Sequence, residues 1–411
     1  MTSQQARSHA ARTKRAHWSA PVLALALAAA SLQGASAAHA VHAVHGAPAA
    51  GASAPGTPHT ATTCAERVYR AMSDPQRVGQ LFMGAVNAST PDQRRIQILR
   101  DYHVGSVFLA GRSTAGVNRT KSLVDGLQAK ADSVSGRRVG LLVSTDQEGG
   151  QVQVLSGPGF SAMPSAVQQG AWSPAELRGQ AAKWAGQLKS AGLNLNLAPV
   201  ADVVPASLGR ANGPIGRYDR EYGHTAAAVA PHSDAFAAGF AQARVLATLK
   251  HFPGLGAVRG NTDTTAGVVD SVTTTRSSSL GPFSSGIKAG APFVMISLAT
   301  YTKIDARRQA VFSPTVIQQL LRKSMGFKGV VISDDLGKAV AVKAVPPGDR
   351  AVNFLAAGGD LALTVEPDLI PAMTKAVETR MAQSPAFRSQ VEQSVRRVLA
   401  AKRQAGLITC G

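Results

Sequence analysis

Eight short apolar runs, separated by stretches with helical spacing, constrain the fold of this 411-residue chain more than any other feature. A continuous apolar run is typical of a strand that is buried on both faces, as in a parallel sheet. The predicted strands are Leu81–Val86, Ser106–Ala110, Val139–Thr145, Leu193–Val200, Val245–Lys250, Phe293–Leu298, Val330–Ser333 and Leu361–Val365. The predicted helices between them include Ala65–Gln80, Pro91–Tyr102, Ser173–Ala191, Thr225–Ala243, Ser313–Met325 and Asp349–Ala357. Strict alternation of strand and helix predicts an α/β fold, a single (β/α)8 TIM-type barrel.

The first forty residues have the pattern of a secretory signal peptide. Arg12, Lys14 and Arg15 precede an apolar run at 21–30, and small residues follow in the manner of a cleavage site. The apolar run is too short to span a bilayer. We therefore expect residues 1–40 to be a signal peptide, residues 41–62 a disordered Ala/Gly/Pro/His spacer, and residues 63–411 the folded domain of a secreted protein without a membrane span.

The chain has two cysteines, Cys64 at the start of the predicted domain and Cys410 next to its end. In an oxidising compartment this predicts one disulfide that joins the two ends of the domain. Two unpaired thiols are the alternative.

The formal net charge of +19 favours an anionic partner, such as an anionic cell-wall polymer. The positive residues are scattered and only 5% of residues are aromatic, so no platform for stacking bases is visible. We expect no nucleic-acid partner, residence near the cell wall, and a monomer.

Charged residues gather where the predicted strands end, although they make up only 16% of the chain. Asp146 and Glu148 follow the third strand, and Lys250-His251 ends the fifth. The fourth strand ends in Asn196, Pro199 and Asp202, and Asp334-Asp335 follows the seventh. The catalytic groups of a (β/α)8 barrel come from these strand ends, so the side chains are expected to share one mouth. Each of them could instead cap a helix or form an ion pair in the core.

Carboxylates together with a lysine, a histidine and an arginine suit a substrate with many hydroxyl groups. A nucleophilic carboxylate with a second acidic group suits cleavage of a glycosidic bond with retention of configuration. A divalent metal could use the same acids, but the chain has no HxH or HExxH pattern. Gly254-Leu255-Gly256 is too short for a phosphate-binding turn. We predict neither a metal nor a cofactor.

Three of these segments resemble the signatures of glycoside hydrolase family 3, in its β-N-acetylglucosaminidase branch. They are Asp146-Gln147-Glu148-Gly149-Gly150, Lys250-His251-Phe252-Pro253-Gly254 and Ile332-Ser333-Asp334-Asp335-Leu336. The similarity extends from about Ser73 to Thr364 and implies a retaining mechanism on a (β/α)8 barrel.

The resemblance also implies roles for single residues. It makes Asp334 the nucleophile, and it makes Asp146, Lys250 and His251 contacts for the hydroxyl groups of the sugar. The family's Ile-Gly...Arg-x-Phe-Gly segment is similar to Ile215-Gly216 followed by Arg220-Glu221-Tyr222-Gly223, which implies that Arg220 meets the sugar.

One departure from the family concerns the general acid. The branch has an Asp-Ser-His whose Asp and His form the acid/base pair, whereas this chain has Asp263-Thr264-Thr265. The hydroxyl of Thr265 cannot titrate near neutral pH. The acid must then be Asp263 with a raised pKa, or another residue of the loop at 259–270.

Two further departures concern the substrate. The family often has arginines where this chain has Gln151 and Val154, which weakens the case for a charged leaving group on that side. Lys338 stands where a methionine is common.

Three functions are compatible with these residues. The first is a secreted exo-glycosidase that removes terminal β-linked N-acetylglucosamine, or a related β-hexose, from cell-wall or chitin-derived oligosaccharides; specificity of the β-glucosidase type is a variant of it. The second is a sugar-binding protein that kept the pocket and lost efficient acid catalysis. The third is a metal-dependent barrel hydrolase.

Overall fold

The computed structural model describes residues 63–408. The predicted signal peptide at 1–40 and spacer at 41–62 lie outside the described residues, and so does Cys410. The leader, the spacer and the Cys64–Cys410 disulfide therefore stay predictions.

Eight parallel strands form the centre of the molecule. In chain order they are β1 (Phe82–Asn87), β2 (Ser106–Ala110), β3 (Leu142–Thr145), β4 (Leu195–Asn196), β5 (Leu246–Phe252), β6 (Phe293–Ile296), β7 (Val330–Ser333) and β8 (Ala362–Thr364). Strands β8, β1, β2 and β3 form one ladder, and β4, β5, β6 and β7 form the other.

Backbone hydrogen bonds at two seams join the two ladders into a closed barrel. The amide of Leu197 donates to the carbonyl oxygen of Thr145 at 2.9 Å, which connects β4 to β3. The amide of Ser333 donates to the carbonyl oxygen of Leu361 at 3.0 Å, which connects β7 to β8. The prediction of a (β/α)8 barrel is confirmed.

Helices surround the strands. They are α1 (Cys64–Ala71), α2 (Asp74–Gly79), α3 (Gln93–Asp101), α4 (Gly116–Gln128), α5 (Ala166–Gln169), α6 (Pro174–Ser190), α7 (Ala226–Gln242), α8 (Gly281–Lys288), α9 (Pro347–Ala356), α10 (Ile370–Gln383) and α11 (Pro385–Gln404), together with a helix of wide, π-type turns at Thr315–Ser324. Within residues 63–408 no helix is long and apolar enough to cross a membrane.

The prediction of one helix over Ala65–Gln80 is wrong, because the chain breaks after α1 and starts again as α2. Ser73 caps the second helix: its hydroxyl accepts the amide of Gln76, and the Gln76 side chain accepts the amide of Ser73. Pro75 in the first turn lacks the amide hydrogen that a continuous helix would need.

Four strands, β3, β4, β6 and β8, are shorter than the apolar runs predict. The amides of Val139 and Gly140 donate to the carbonyl oxygens of Asp132 and Leu407 instead of joining the barrel ladder, so β3 begins only at Leu142. Hydrophobicity extends past the hydrogen-bonded part of a strand because the flanking residues are also buried.

The interior of the barrel is filled by side chains from all eight strands, among them Met83, Phe108, Leu142, Leu195, Leu246, Met295, Ile332 and Leu363. Val398 and Ala401 of α11 join the same cluster. The barrel is therefore a packed core, and α11 is an integral part of it.

A lysine on α11 is buried without a charged partner. Lys402 is 0% exposed, and its ammonium donates one hydrogen bond, of 2.5 Å, to the side-chain oxygen of Gln80. Burial lowers the pKa of Lys402 to about 7, although the negative charge of Asp132 acts in the opposite direction. The folded state therefore disfavours the charged lysine.

Lys402→Met is expected to change the pH dependence of stability. The unfolded chain keeps the lysine protonated up to its ordinary pKa of about 10.4, so the native protein should gain stability between about pH 7 and pH 10 and lack this gain below pH 7. The variant should be most favoured relative to the native protein below pH 7, and its advantage should shrink as pH rises, because the native lysine then becomes neutral and its burial costs less. Urea unfolding at pH 6 and pH 9 measures this, with the exposed Lys375→Met as control. If the difference in unfolding free energy between Lys402→Met and the native protein is the same at both pH values, the lowered pKa of Lys402 is contradicted.

Candidate active site

A cavity of about 450 Å³ opens where the strands end at their carboxyl side. Its floor includes Phe108, Leu197, Met295 and Leu363. All six residues that the sequence predicts for the site line its walls: Asp146, Arg220, Lys250, His251, Asp263 and Asp334. The structure thus brings together side chains from the third, fifth and seventh strands and from two loops, as the barrel prediction requires.

Lys250 is the centre of an ion cluster on one wall of the cavity. Its side chain is 3% exposed, and its ammonium lies 2.6 Å from a carboxylate oxygen of Asp146 and 2.6 Å from one of Glu148. Burial alone would lower the pKa of Lys250, but the charges of Asp146 and Glu148 raise it above its ordinary value. Lys250 is therefore a fixed cation and a hydrogen-bond donor at the cavity wall.

Arg220 shares the carboxylate of Glu148 with Lys250. Its Nε and one terminal nitrogen donate to the two Glu148 oxygens at 2.8 and 2.7 Å, which is the paired geometry that guanidinium and carboxylate favour. Burial would raise the pKa of Glu148, yet the charges of Arg220 and Lys250 lower it to about 2. Glu148 holds the two cations in place from behind the cavity, while Asp146, with 27% of its side chain exposed, faces it.

Glu148→Gln is expected to lower the free energy of unfolding by about 3–5 kcal/mol, because it leaves two buried cations with less compensating charge. Urea unfolding measures the loss. Glu176→Gln is the matched control, since Glu176 is exposed in the first turn of α6 and its contribution should not exceed about 1 kcal/mol. An equal, small effect of both changes would contradict this account.

The loop that carries Arg220 is fastened to the loop after β5 by Asn212. The Asn212 oxygen accepts the amides of Ile215 and Gly216 at 2.9 Å each. Its nitrogen donates to the carbonyl oxygens of Leu255 and Val258, both at 2.7 Å. Arg220 is thereby held beside the end of β5.

His251 is oriented by Asp202, a buried aspartate that the sequence places at the end of the fourth strand without indicating its role. Nδ1 of His251 lies 2.7 Å from Oδ2 of Asp202, and Oδ1 accepts the amides of His251 and Leu255. An ionised carboxylate only accepts hydrogen bonds, so Nδ1 carries a proton. Nε2 lies 3.5 Å from a terminal nitrogen of Arg220 at the cavity wall. Asp202 follows the fourth strand, and this position at a strand end was the sequence signal that it belongs to the site.

The two adjacent carboxylates after β7 have different environments. Asp334 lines the cavity, and its Oδ1 accepts a hydrogen bond from the amide of Asp335 at 2.8 Å. Asp335 accepts four amides, those of Gly337, Lys338, Ala339 and Val365, at 2.8 to 3.1 Å. Asp335 therefore shapes the loop after β7, and Asp334 is the carboxylate that a ligand can reach.

Asp263 lies opposite this loop and also lines the cavity. The residue as a whole is exposed. Desolvation within the cavity and the nearby charge of Asp334 raise the pKa of Asp263 to about 6 against the opposing charges of Arg220 and His251. Thr265, which stands where the family has a histidine, is exposed and does not line the cavity.

Among residues 63–408 no group of three or more His, Cys, Asp or Glu side chains has an arrangement suited to a metal ion. Four carboxylates at the mouth are paired with Lys250, Arg220, His251 or backbone amides, namely Asp146, Glu148, Asp202 and Asp335.

A closed (β/α)8 barrel whose mouth holds the half-buried Asp334 and the exposed Asp263 in one cavity with a paired lysine and arginine is the arrangement of a barrel glycoside hydrolase. The glycosyl hydrolase family 3 N-terminal domain matches residues 74–401. The chain belongs to this family.

A curated relative and two solved structures support the assignment. The β-hexosaminidase of Xanthomonas axonopodis pv. citri (strain 306) is 33% identical over 320 residues, which cover 75% of this chain and 90% of that protein. The crystal structure of β-N-acetylhexosaminidase from Beutenbergia cavernae DSM 12333 is 49% identical, with a TM-score of 0.79, over 81% of this chain and 99% of that one. A family 3 β-N-acetylglucosaminidase from Paenibacillus sp. str. FPU-7 is 30% identical, with a TM-score of 0.74, over 82% of this chain and 63% of that one. The resemblance to β-N-acetylhexosaminidase-like glycoside hydrolases is confirmed.

Proposed function

We propose that the chain is a secreted retaining exo-glycosidase that hydrolyses terminal β-linked N-acetylglucosamine, or a related β-hexose, in cell-wall or chitin-derived oligosaccharides. The observation that carries the proposal is that Asp334 and Asp263 line one cavity, where burial and the charge of Asp334 raise the pKa of Asp263. Asp334 is the nucleophile, and Asp263 is the general acid and base.

The polar wall of the cavity positions the sugar. Asp146 accepts hydrogen bonds from sugar hydroxyl groups, Lys250 and Arg220 donate to them, and Nε2 of His251 provides a further polar contact. Because Glu148 and Asp202 hold these groups before the sugar arrives, little side-chain ordering is needed on binding.

The reaction proceeds in two displacements. A carboxylate oxygen of Asp334 forms a bond to the anomeric carbon while the bond to the leaving oxygen breaks and Asp263 gives that oxygen its proton. Water then attacks the anomeric carbon of the sugar ester, Asp263 takes a proton from the water, and the Asp334 carboxylate leaves. Two inversions restore the original configuration.

Turnover of aryl β-N-acetylglucosaminide and aryl β-glucoside tests the reaction and the sugar preference. We expect turnover of both aryl glycosides to be measurable and the N-acetylglucosaminide to be preferred. A preference for the glucoside would indicate β-glucosidase-type specificity. Absence of turnover of even the best leaving group would contradict the proposal.

A sugar-binding protein with weakened catalysis is the second candidate, favoured by Thr265 in place of the family's histidine. Binding of N-acetylglucosamine without turnover of any aryl glycoside would support this candidate.

Secretion and residence at the cell wall are part of the proposal and rest on the leader sequence and the net charge. Expression of the full chain tests secretion: the extracellular protein should lack about the first forty residues by mass. Retention of the full-length chain inside the cells would contradict it.

A further inference from the structure

The amino end of the barrel, opposite the candidate active site, carries an unbalanced positive charge. The segments at this end connect each helix to the strand that follows it. Five of these connections, which lead into β3, β4, β5, β6 and β7, lie side by side because those strands are neighbours. Exposed cations in the connections, or at the helix ends just before them, form a surface that we call the basic arc: Arg137, Arg138, Lys189, Arg244, Lys288 and Lys328.

Little negative charge compensates the basic arc. Within residues 63–408 none of its six cations forms an ion pair with a carboxylate. Two acids of this end have other partners, since Asp132 lies 3.0 Å from His103 and the fully buried Asp360 pairs with Arg322. Four of the five connections contain no Asp or Glu, namely 191–194, 243–245, 289–292 and 325–329. The charge of the arc is therefore available to an anion from outside the chain.

Helix ends explain only part of this charge. Lys189 and Lys288 lie in the last turns of α6 and α8, where a cation compensates the partial negative charge of the helix end. Arg137 and Arg138 lie in a short antiparallel hairpin beyond α4, and Lys328 lies in the turn that leads into β7. The helix dipole acts within the last turn, so it does not account for these three cations.

Arg244 occupies a backbone position at which most helices of this barrel have glycine. It follows the C-cap of α7 with a φ of 56°, a conformation that strains a residue with a side chain. His103 after α3 shares this conformation, and its ring contacts Asp132. The Arg244 side chain has no such partner among residues 63–408, so its retention there points to a role outside the fold. The corresponding positions after five other helices are glycines with positive φ: Gly192, Gly290, Gly326, Gly358 and Gly406.

A furrow runs between Arg244 and Lys328. It consists of a cavity of about 220 Å³ lined by Arg244 and a cavity of about 450 Å³ lined by Lys328. Asp234 in the wall of the first cavity accepts a hydrogen bond from Ser285, and burial raises its pKa, which weakens its opposition to an anion. The two cavities share four lining residues, Gly290, Ala291, Pro292 and Gln404.

We propose that the basic arc binds a linear polyanion, a polymer with a phosphate or carboxylate group in each repeat, which lies along the furrow. Cations spread over neighbouring loops suit regularly spaced anions better than one small anion. Because the arc and the candidate active site lie at opposite ends of the barrel, the bound polymer leaves the mouth open to substrate. The inference rests on the proposed function only for the place where such a polymer is met, the cell wall.

Fluorescence anisotropy with two labelled polymers tests the arc on the full chain. The probes are poly(glycerol phosphate) and poly-L-glutamate, which distinguish phosphate from carboxylate, and each dissociation constant is measured at increasing NaCl concentration. The arc variant combines Arg244→Gln, Lys288→Gln and Lys328→Gln. The matched control has the same loss of charge at exposed positions in the loops of the mouth end and combines Arg217→Gln, Arg276→Gln and Lys303→Gln.

The native protein is expected to bind at least one polymer at about 0.1 M NaCl and to lose it near 1 M, where charges are screened within about 3 Å. The Kd should rise about tenfold in the arc variant and less than about twofold in the control. Equal weakening in both variants, a native Kd in the arc variant, binding of anionic lipid vesicles but of neither polymer, or no binding at all would overturn the proposal.

Arg244→Gly separates a binding role from a structural one. Glycine adopts the left-handed conformation without strain, so Tm should rise while polymer binding weakens. A lower Tm with an unchanged Kd would show that Arg244 serves the fold and would overturn its place in the arc.

Turnover of an aryl glycoside distinguishes failure of this inference from failure of the proposed function. Saturating polymer should leave kcat and KM of the native enzyme unchanged, whereas competitive inhibition would place the polymer at the mouth and overturn the proposal. Absence of turnover without polymer would contradict only the glycosidase, because the binding measurements do not depend on catalysis.

Discussion

Replacing Asp334 by asparagine is expected to lower kcat by on the order of 10⁴-fold or more, because an amide oxygen is too poor a nucleophile to form the sugar ester. The amide oxygen can still accept the hydrogen bond from the Asp335 backbone, so the loop after β7 should keep its shape. Binding of N-acetylglucosamine should change little, because the charged contacts on the opposite wall remain. Steady-state kinetics and calorimetry measure the two effects.

Rescue by azide distinguishes loss of the nucleophile from misfolding of the variant. In Asp334→Ala the space of the carboxylate becomes available to a small nucleophile, and azide should restore turnover of an activated aryl glycoside with formation of an α-glycosyl azide. Asp125→Asn, a surface carboxylate on α4, should leave kcat unchanged. Turnover by Asp334→Asn near the native rate would refute the covalent role of Asp334.

Replacing Asp263 by asparagine is expected to have the second largest effect, and its size should depend on the leaving group. With a poorly acidic leaving group, kcat/KM should fall by about 10²–10⁴-fold, the usual contribution of general acid catalysis. With a strongly acidic phenol as leaving group, the loss in kcat/KM should be much smaller, since that oxygen leaves without a proton.

The pH profile provides an independent readout for Asp263. An acid catalyst must be protonated, so activity of the native enzyme on poor leaving groups should decline as pH rises through about 6, the raised pKa of Asp263. This decline should be absent in Asp263→Asn. If the decline in activity above about pH 6 persists in Asp263→Asn, another residue is the general acid. The same conclusion follows if the loss in kcat/KM is equal for all leaving groups.

The positions of the site residues could be predicted because a parallel barrel collects strand ends. Apolar runs marked the strands, and the polar residues directly after them, such as Asp146, Lys250 and Asp334, had to meet at one mouth. The motifs then distinguished these residues from ordinary helix caps.

Pairing among the charged groups could not be predicted, because it depends on side-chain distances between distant segments. Glu148 follows Asp146 in the same motif, with Gln147 between them. In the structure Glu148 lies behind the cavity and pairs with Arg220, which is 72 positions away in sequence. Asp202 looked like one more strand-end residue until its contact with His251 was visible. Likewise, the raised pKa of Asp263 depends on the walls of the folded cavity and on Asp334.

Interruptions within the predicted helices and strands were also not predicted. Ser73 and Pro75 interrupt a segment of helical composition, and a capping box two turns into an amphipathic stretch is a weak signal beside the continuing pattern of apolar residues. Strand length escaped prediction in the same way, since Val139 is buried without belonging to the ladder.

Mass spectrometry can detect the proposed covalent ester between the sugar and Asp334. The enzyme is incubated with a fluorinated N-acetylglucosaminyl fluoride, which forms the ester faster than water can hydrolyse it, and is then digested at low pH. We expect the mass of one added sugar per chain, located on the peptide that contains Asp334. An adduct on a different carboxylate, or no adduct together with a product of inverted configuration, would contradict it.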